Sequence, residues 1–134
     1  MFPNANDLSQ IDVTQLSMPV KRAQAIKDMS QAVVDGSVDF TFGSDPANLM
    51  HQLENIKGIG QWTAQYIAMR ALGDPDAFLE GDLVLVKVAK RCLGIKCNRE
   101  LIERSKQWQP FRAYASMHLW RQAAQLNDVS KNAG

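Results

Sequence analysis

Three groups of residues in this 134-residue chain have the types and spacing to do chemistry. The first is the turn Ile56-Lys57-Gly58-Ile59-Gly60, inside the run LENIKGIGQWTA at 53–64. Glycines at i and i+2 let a backbone turn sharply and leave amide N–H groups uncovered by side chains. The second glycine stands where a helix should begin. N–H groups there are unpaired and the dipole end is positive, a geometry that binds phosphate. Lys57 adds a cation to the same turn. The second group is Trp62 and Tyr66, four residues apart and so on one face of that helix. They read either as core packing or as two π faces able to receive a base extruded from a duplex. The third is Asp82, directly before the apolar run LVLV. It reads as an N-cap, and Leu85 at the third position afterwards excludes a capping box. A carboxylate at a helix start is kept ionised by the dipole. Beside a nucleoside it could stabilise the positive charge that develops at C1′ when an N-glycosidic bond breaks. Asp74 and Asp76 compete for that role but fall mid-loop, where they read as turn caps.

These groups need helices to hold them. Over 19–35, Ala23, Ile26, Met29, Ala32 and Val33 recur at three- and four-residue steps, which predicts an amphipathic helix. Pro19 suits its first turn and Gly36 its end. Phe40 and Phe42 alternate once, too little for a strand, and the segment reads as an extended loop. A second helix is expected over Pro46–Leu53, capped by Asp45. A third runs over about 61–72 and stops at Gly73. Ile56 and Ile59 can pack between these two helices, and Ala64, Ala68 and Ala71 keep the third thin. GDPDAFLEGD is a loop. Helices then fit 83–93, 98–107 and 110–126, with Asn98 capping the second and Pro110 opening the third. The tail NDVSKNAG reads as frayed. The fold class is all-α, in a single helical domain over 1–134. Its parts are a helix-hairpin-helix at about 46–72, a loop carrying the carboxylate at about 73–82, and basic helices at about 83–126.

Composition narrows the classes. Hydrophobic residues make up 46% and charged residues 22%, an ordinary globular mixture. No stretch approaches the ~18 apolar residues of a membrane span, and MFPNANDLSQ lacks the features of a secretory signal, so no membrane partner is expected. Cys92 and Cys97 are too few for a four-thiolate metal site and read as buried or inert thiols. His51 and His118 lack metal-ligand spacing. The net charge of +1 hides a polarity. Residues 1–83 carry five Lys/Arg against eleven Asp/Glu, and residues 84–134 carry ten against three. A basic C-terminal part suits a polyanion and equally suits solvated helices.

The run LENIKGIGQWTAQYIAMRALGDPDAFLEGDL resembles the signature segment of the DNA-3-methyladenine glycosylase II family, within the helix-hairpin-helix/Gly-Pro-Asp superfamily. MPVKRAQAI upstream and WQPFRAYASMHLWRQ downstream also look like family segments, so the resemblance covers about residues 1–125. It implies a helical glycosylase fold and a monofunctional enzyme that hydrolyses the N-glycosidic bond of alkylated purines in double-stranded DNA. Asp82 matches the catalytic aspartate. Trp62, Tyr66 and Trp120 match the aromatic positions of the base pocket. Lys57, Gly58, Ile59, Gly60 and Thr63 fall on the hairpin that holds the DNA backbone. Main-chain carbonyls of Glu54, Ile56 and Gly58 match those that bind a monovalent cation, Na+ or K+, tethering a phosphate. No cofactor is required.

Bifunctional relatives place a Schiff-base lysine two residues after the second hairpin glycine. Trp62 stands there, so strand cleavage by β-elimination is not expected. The cysteine count also excludes the iron–sulfur loop of some relatives. Leu79 stands where many relatives have a proline before the aspartate, a departure that bears on loop rigidity. Family members are longer, so residues 1–134 look like the C-terminal two-thirds of the glycosylase domain, which implies either a fragment truncated at the N-terminus or a chain whose missing helices come from elsewhere. The implied setting is a bacterial nucleoid in the cytoplasm, or a nucleus. A full-length member is expected to be a monomer, whereas a fragment could associate through uncovered apolar surface. The competing readings are a non-catalytic helix-hairpin-helix DNA-binding module and an inactive truncated fragment.

Overall fold

The computed structural model describes residues 1–41 and 43–132, with the backbone alone for 128–132. Phe42 of the expected extended loop and the last two residues of the tail lie outside the described residues. All regular structure among the described residues is helical, and the chain divides into two compact units, the first ending at Leu72 and the second starting at Gly73.

The first unit opens with α1, Ala5–Ser9, which sequence periodicity missed because it is a single turn and a half. A capping box makes it: Asn4 accepts from the Asp7 amide, and Asp7 accepts from the Asn4 amide. It packs on α2, Val20–Val34, for which Pro19 is the N-cap. Gly36 follows with φ +80°, the left-handed turn that ends the helix. α3, Pro46–Glu54, starts as the sequence indicates, with Asp45 accepting from the Ala47 amide. α4 covers Gln61–Ile67, and its continuation Ala68–Leu72 widens into a π-helical turn before Gly73. The wider turn rotates the last residues. Ala64 and Ala68 are buried as the three-alanine pattern requires, but Ala71 is exposed. The core gathers Val38, Leu49, Leu53, Ile59 and Ala64, with Met29, Ala32, Val33, Phe40 and Ile56 packed around it. Phe40 therefore serves the core from a loop.

The second unit holds three helices behind the loop 73–82. α5 is Leu83–Leu93, capped by Asp82 and closed by Gly94 at φ +67°. α6 is Asn98–Ser105, followed by a 3-10 turn at Lys106–Trp108. α7 is Arg112–Asn132, longer at its C-terminal end than the pattern over 110–126 suggests, so most of the tail expected to fray is helical. α5 lies along α7, and Leu85, Val88, Ala89, Leu101, Ala113, Leu119 and Ala123 are buried. Cys92 and Cys97 are exposed, so of the two readings, buried or inert, burial does not hold: they sit at the end of α5 and just before α6. No helix among the described residues is long and apolar enough to cross a membrane.

Candidate functional site

In the first unit the hairpin between α3 and α4 is built by its apolar residues. Ile59 is buried and Ile56 packs against the same core, so the turn cannot swing away from its helices. The Ile59 amide donates to the Ile56 carbonyl at 3.0 Å, closing the turn. The two glycines play different parts. Gly58 has φ +94°, and a Cβ added there would lie 3.1 Å from the Ala25 Cβ of α2. The fold itself demands glycine at that position. Gly60 caps α4 with an ordinary φ of −94°, and a Cβ there would meet nothing within 4 Å. The chain's own packing does not require a glycine at 60.

Gly58, Ile59, Trp62 and Thr63 line a groove of about 620 Å³ together with Lys21 and Arg22 from the first turn of α2. Lys21 and Arg22 were not singled out by sequence; only the packing of α2 on the hairpin brings them there. Lys57 is exposed. Trp62 and Tyr66 do share a face of α4 and stack on each other, with ring centroids 5.3 Å apart. Arg70, one turn further on, lies over the Tyr66 ring at 5.9 Å. Trp62 remains 40% exposed.

In the second unit Asp82 is the N-cap of α5: its Oδ1 accepts from the Leu85 amide at 2.8 Å. The same oxygen accepts from the indole Nε1 of Trp120 on α7, at 3.4 Å. Two residues that the family resemblance singled out thus meet. Asp74 caps a turn as expected, accepting from the Asp76 amide at 3.0 Å. Asp76 does not cap a turn. Arg112 donates to both its oxygens, from Nε at 2.8 Å and from Nη2 at 2.7 Å. Those hydrogen bonds hold the Asp76 carboxyl below its ordinary value, more strongly than partial burial raises it. The guanidinium is raised in turn, chiefly by its hydrogen bonds to Asp76. Asn98 does not cap α6 either. Cys97 is the N-cap, and the Asn98 side chain accepts from the Gly81 amide at 3.3 Å, tying the loop to α6. Leu79 is buried, so the loop has an apolar anchor where a proline was the alternative. His51 and His118 are exposed, and among the described residues no group of His, Cys, Asp and Glu could hold a metal ion.

No protein-family profile matches the chain. It is 41% identical over 120 residues to the Mycobacterium tuberculosis "Probable bifunctional transcriptional activator/DNA repair enzyme AlkA", covering 89% of this chain and 24% of that one. It is 32% identical over 122 residues to Escherichia coli DNA-3-methyladenine glycosylase 2, covering 89% of this chain and 42% of that one. The chain thus spans less than half the length of these two relatives. Among solved structures, a DNA-3-methyladenine glycosidase from Bacillus halodurans superposes with a TM-score of 0.79 at 28% identity, over 95% of this chain and 62% of that one. The 3-methyladenine DNA glycosylase of Schizosaccharomyces pombe, solved with abasic DNA, gives a TM-score of 0.80 at 21% identity, over 92% of this chain and 64% of that one. The second likeness speaks to the fold alone. By sequence over nine-tenths of its length, and by its helical fold, the chain is similar to DNA-3-methyladenine glycosylases, of which it matches a part.

Proposed function

We propose that the chain acts as a monofunctional glycosylase that removes alkylated purines from duplex DNA. The observation that carries the reading is a residue-level one: a glycine at 60 that the fold does not need, at the start of α4, in a chain 41% identical to a DNA repair enzyme. A glycine kept where a Cβ would meet open space suits close approach of a phosphate. In this reading Lys57, Gly58, Ile59, Gly60 and Thr63 hold the backbone, with Lys21 and Arg22 adding positive charge beside them.

The monovalent cation fits the hairpin's chemistry. Glu54 ends α3, where helix-terminal carbonyls lack intrahelical partners, and Ile56 and Gly58 follow in the turn, the Ile56 carbonyl using one lone pair to accept from the Ile59 amide. Na+ or K+ on the carbonyls of Glu54, Ile56 and Gly58 would add one positive charge to the phosphate contact.

A damaged nucleotide rotates out of the stack at a cost of a few kcal/mol. N3- or N7-alkylation leaves the purine positively charged, and its electron-poor ring stacks on Trp62. The same charge makes the base a good leaving group that needs no protonation. Asp82 stabilises the positive charge at C1′ as the C–N bond breaks, or positions the water that completes hydrolysis. Trp120 donates to that carboxylate and holds it in place. Trp62 stands where a Schiff-base lysine would be needed, so the product is an abasic site with the strand intact.

The test is a duplex carrying one labelled N3- or N7-methylated purine. Release of free base with an intact abasic strand supports the reading. A folded chain that binds the duplex and releases nothing is the non-catalytic binding module. A chain that neither binds nor cleaves is the inactive fragment.

A further inference from the structure

The loop from Gly73 to Asp82 has turns but no helix or strand, and no proline after Pro75. It is nevertheless anchored along its length. At its start the Arg112 fork grips Asp76, the Arg112 amide adds a bond to Asp76 Oδ1 at 3.3 Å, and the Ala113 amide donates to the Pro75 carbonyl at 2.9 Å. In its middle Phe78 is buried edge-on to Trp108. At its end the Gly81 amide is tied to Asn98, and Asp82 accepts from Leu85 and Trp120. Arg112 and Trp120 belong to one helix, α7, eight residues and so about 12 Å apart along its axis. A single rigid element therefore holds both ends of the loop. A bidentate arginine–carboxylate pair fixes angle as well as distance, which a lysine point charge does not.

We propose that Asp76 and Arg112 are positioning residues: their fork sets the register of the loop on α7, and with it the place of the Asp82 carboxylate beside Trp120. The proposal rests on the reading of Asp82 as the reacting carboxylate for its catalytic consequence, and on geometry alone for its structural one.

The experiment compares Arg112→Lys and Asp76→Asn with the unsubstituted 134-residue chain. Hydrogen exchange is followed by NMR at the Trp120 indole and the Leu85 amide. Excision is followed in single turnover at saturating enzyme, on a duplex with one N7-methylated purine. Arg112→Lys keeps the charge and loses the fork. The expected result is exchange at Trp120 and Leu85 accelerated at least tenfold more than at the Val88 and Ala89 amides inside α5, which report the overall loss of stability. The expected loss of excision rate is on the order of 10²-fold, the effect of a misplacement of about 1 Å, with affinity for abasic duplex within about twofold. A pair that merely stabilises the unit would speed exchange throughout α5 together and leave the rate of the folded fraction intact; that result overturns the proposal, as does unchanged exchange at both reporters. Asp82→Asn run alongside separates the two layers. If it excises like the unsubstituted chain, the reading of Asp82 fails, while the exchange data still decide whether the fork sets the register.

Discussion

The Trp62 and Tyr66 rings lie 8° from parallel, with Arg70 on the same ladder over Tyr66 at 5.9 Å. Tyr66 is thus flanked by an indole and a guanidinium, and Trp62 is the ring with open area. Under the proposed function, an incoming cationic base would meet Trp62 first and be kept from Tyr66 by the positive charge of Arg70. Trp62→Ala should weaken binding of a methylated purine base by about 10- to 100-fold, the range for one stacked base. Tyr66→Phe should change it little. Competition by free 3-methyladenine in the excision assay measures both. Equal losses at the two positions would contradict the ladder.

The hairpin glycines should separate fold from function. Gly58→Ala forces a side chain into a positive-φ turn and onto Ala25, and should cost at least about 1–2 kcal/mol of stability. Gly60→Ala meets neither obstacle and should leave the denaturant midpoint nearly unchanged. It should still reduce duplex affinity severalfold, because the new methyl occupies the space a phosphate would take. Wild-type affinity in Gly60→Ala would remove the hairpin from the backbone contact.

Asp82 caps α5 and, in the proposed reading, also faces C1′, and substitution can divide the two. Asparagine caps a helix about as well as aspartate, so Asp82→Asn should melt close to the unsubstituted chain. Asp82→Ala should lose about 1 kcal/mol with the cap. Excision should fall by 10² or more in both, since neither offers a charge to C1′. Full activity in Asp82→Asn would assign the residue to capping alone.

The Asp76–Arg112 pair carries a pH dependence whose sign follows from its direction. The folded Asp76 carboxyl titrates below its ordinary value of 3.8. Its stabilisation is therefore fully present above the unfolded pKa and is lost as pH falls through the lowered folded value. At pH 7 Asp76→Asn should be less stable by about 1.5–3 kcal/mol, the range for hydrogen bonds to charged groups. The gap should stay constant down to about pH 5 and close below about pH 4. Urea titrations at several pH values would show it, and a gap that widened on acidification would refute the assignment.

Residue types and local spacing were enough for much of this protein. Asp45 and Asp82 announce α3 and α5 because an N-cap acts on the amides two or three residues ahead, a relationship the sequence displays directly. The apolar stripe of α2 and the glycines of the hairpin are equally local. The family resemblance rested on such contiguous runs, and the relatives and solved structures agree with it.

The tertiary structure alone decided the rest, because those features join residues far apart in the chain or depend on what packs nearby. Nothing local marks Asp76 as the partner of Arg112, 36 residues away, or Trp120 as a donor to Asp82, 38 residues away. A one-residue view made Asn98 and Asp76 caps; the ends of α6 and α7 turned their side chains to the loop instead. The two hairpin glycines look alike in sequence. Only the approach of α2 shows that Gly58 is required by packing and that Gly60 faces open space. Caps and periodicity are short-range and can be read along the chain, whereas shared acceptors and steric neighbours exist only once the helices have docked.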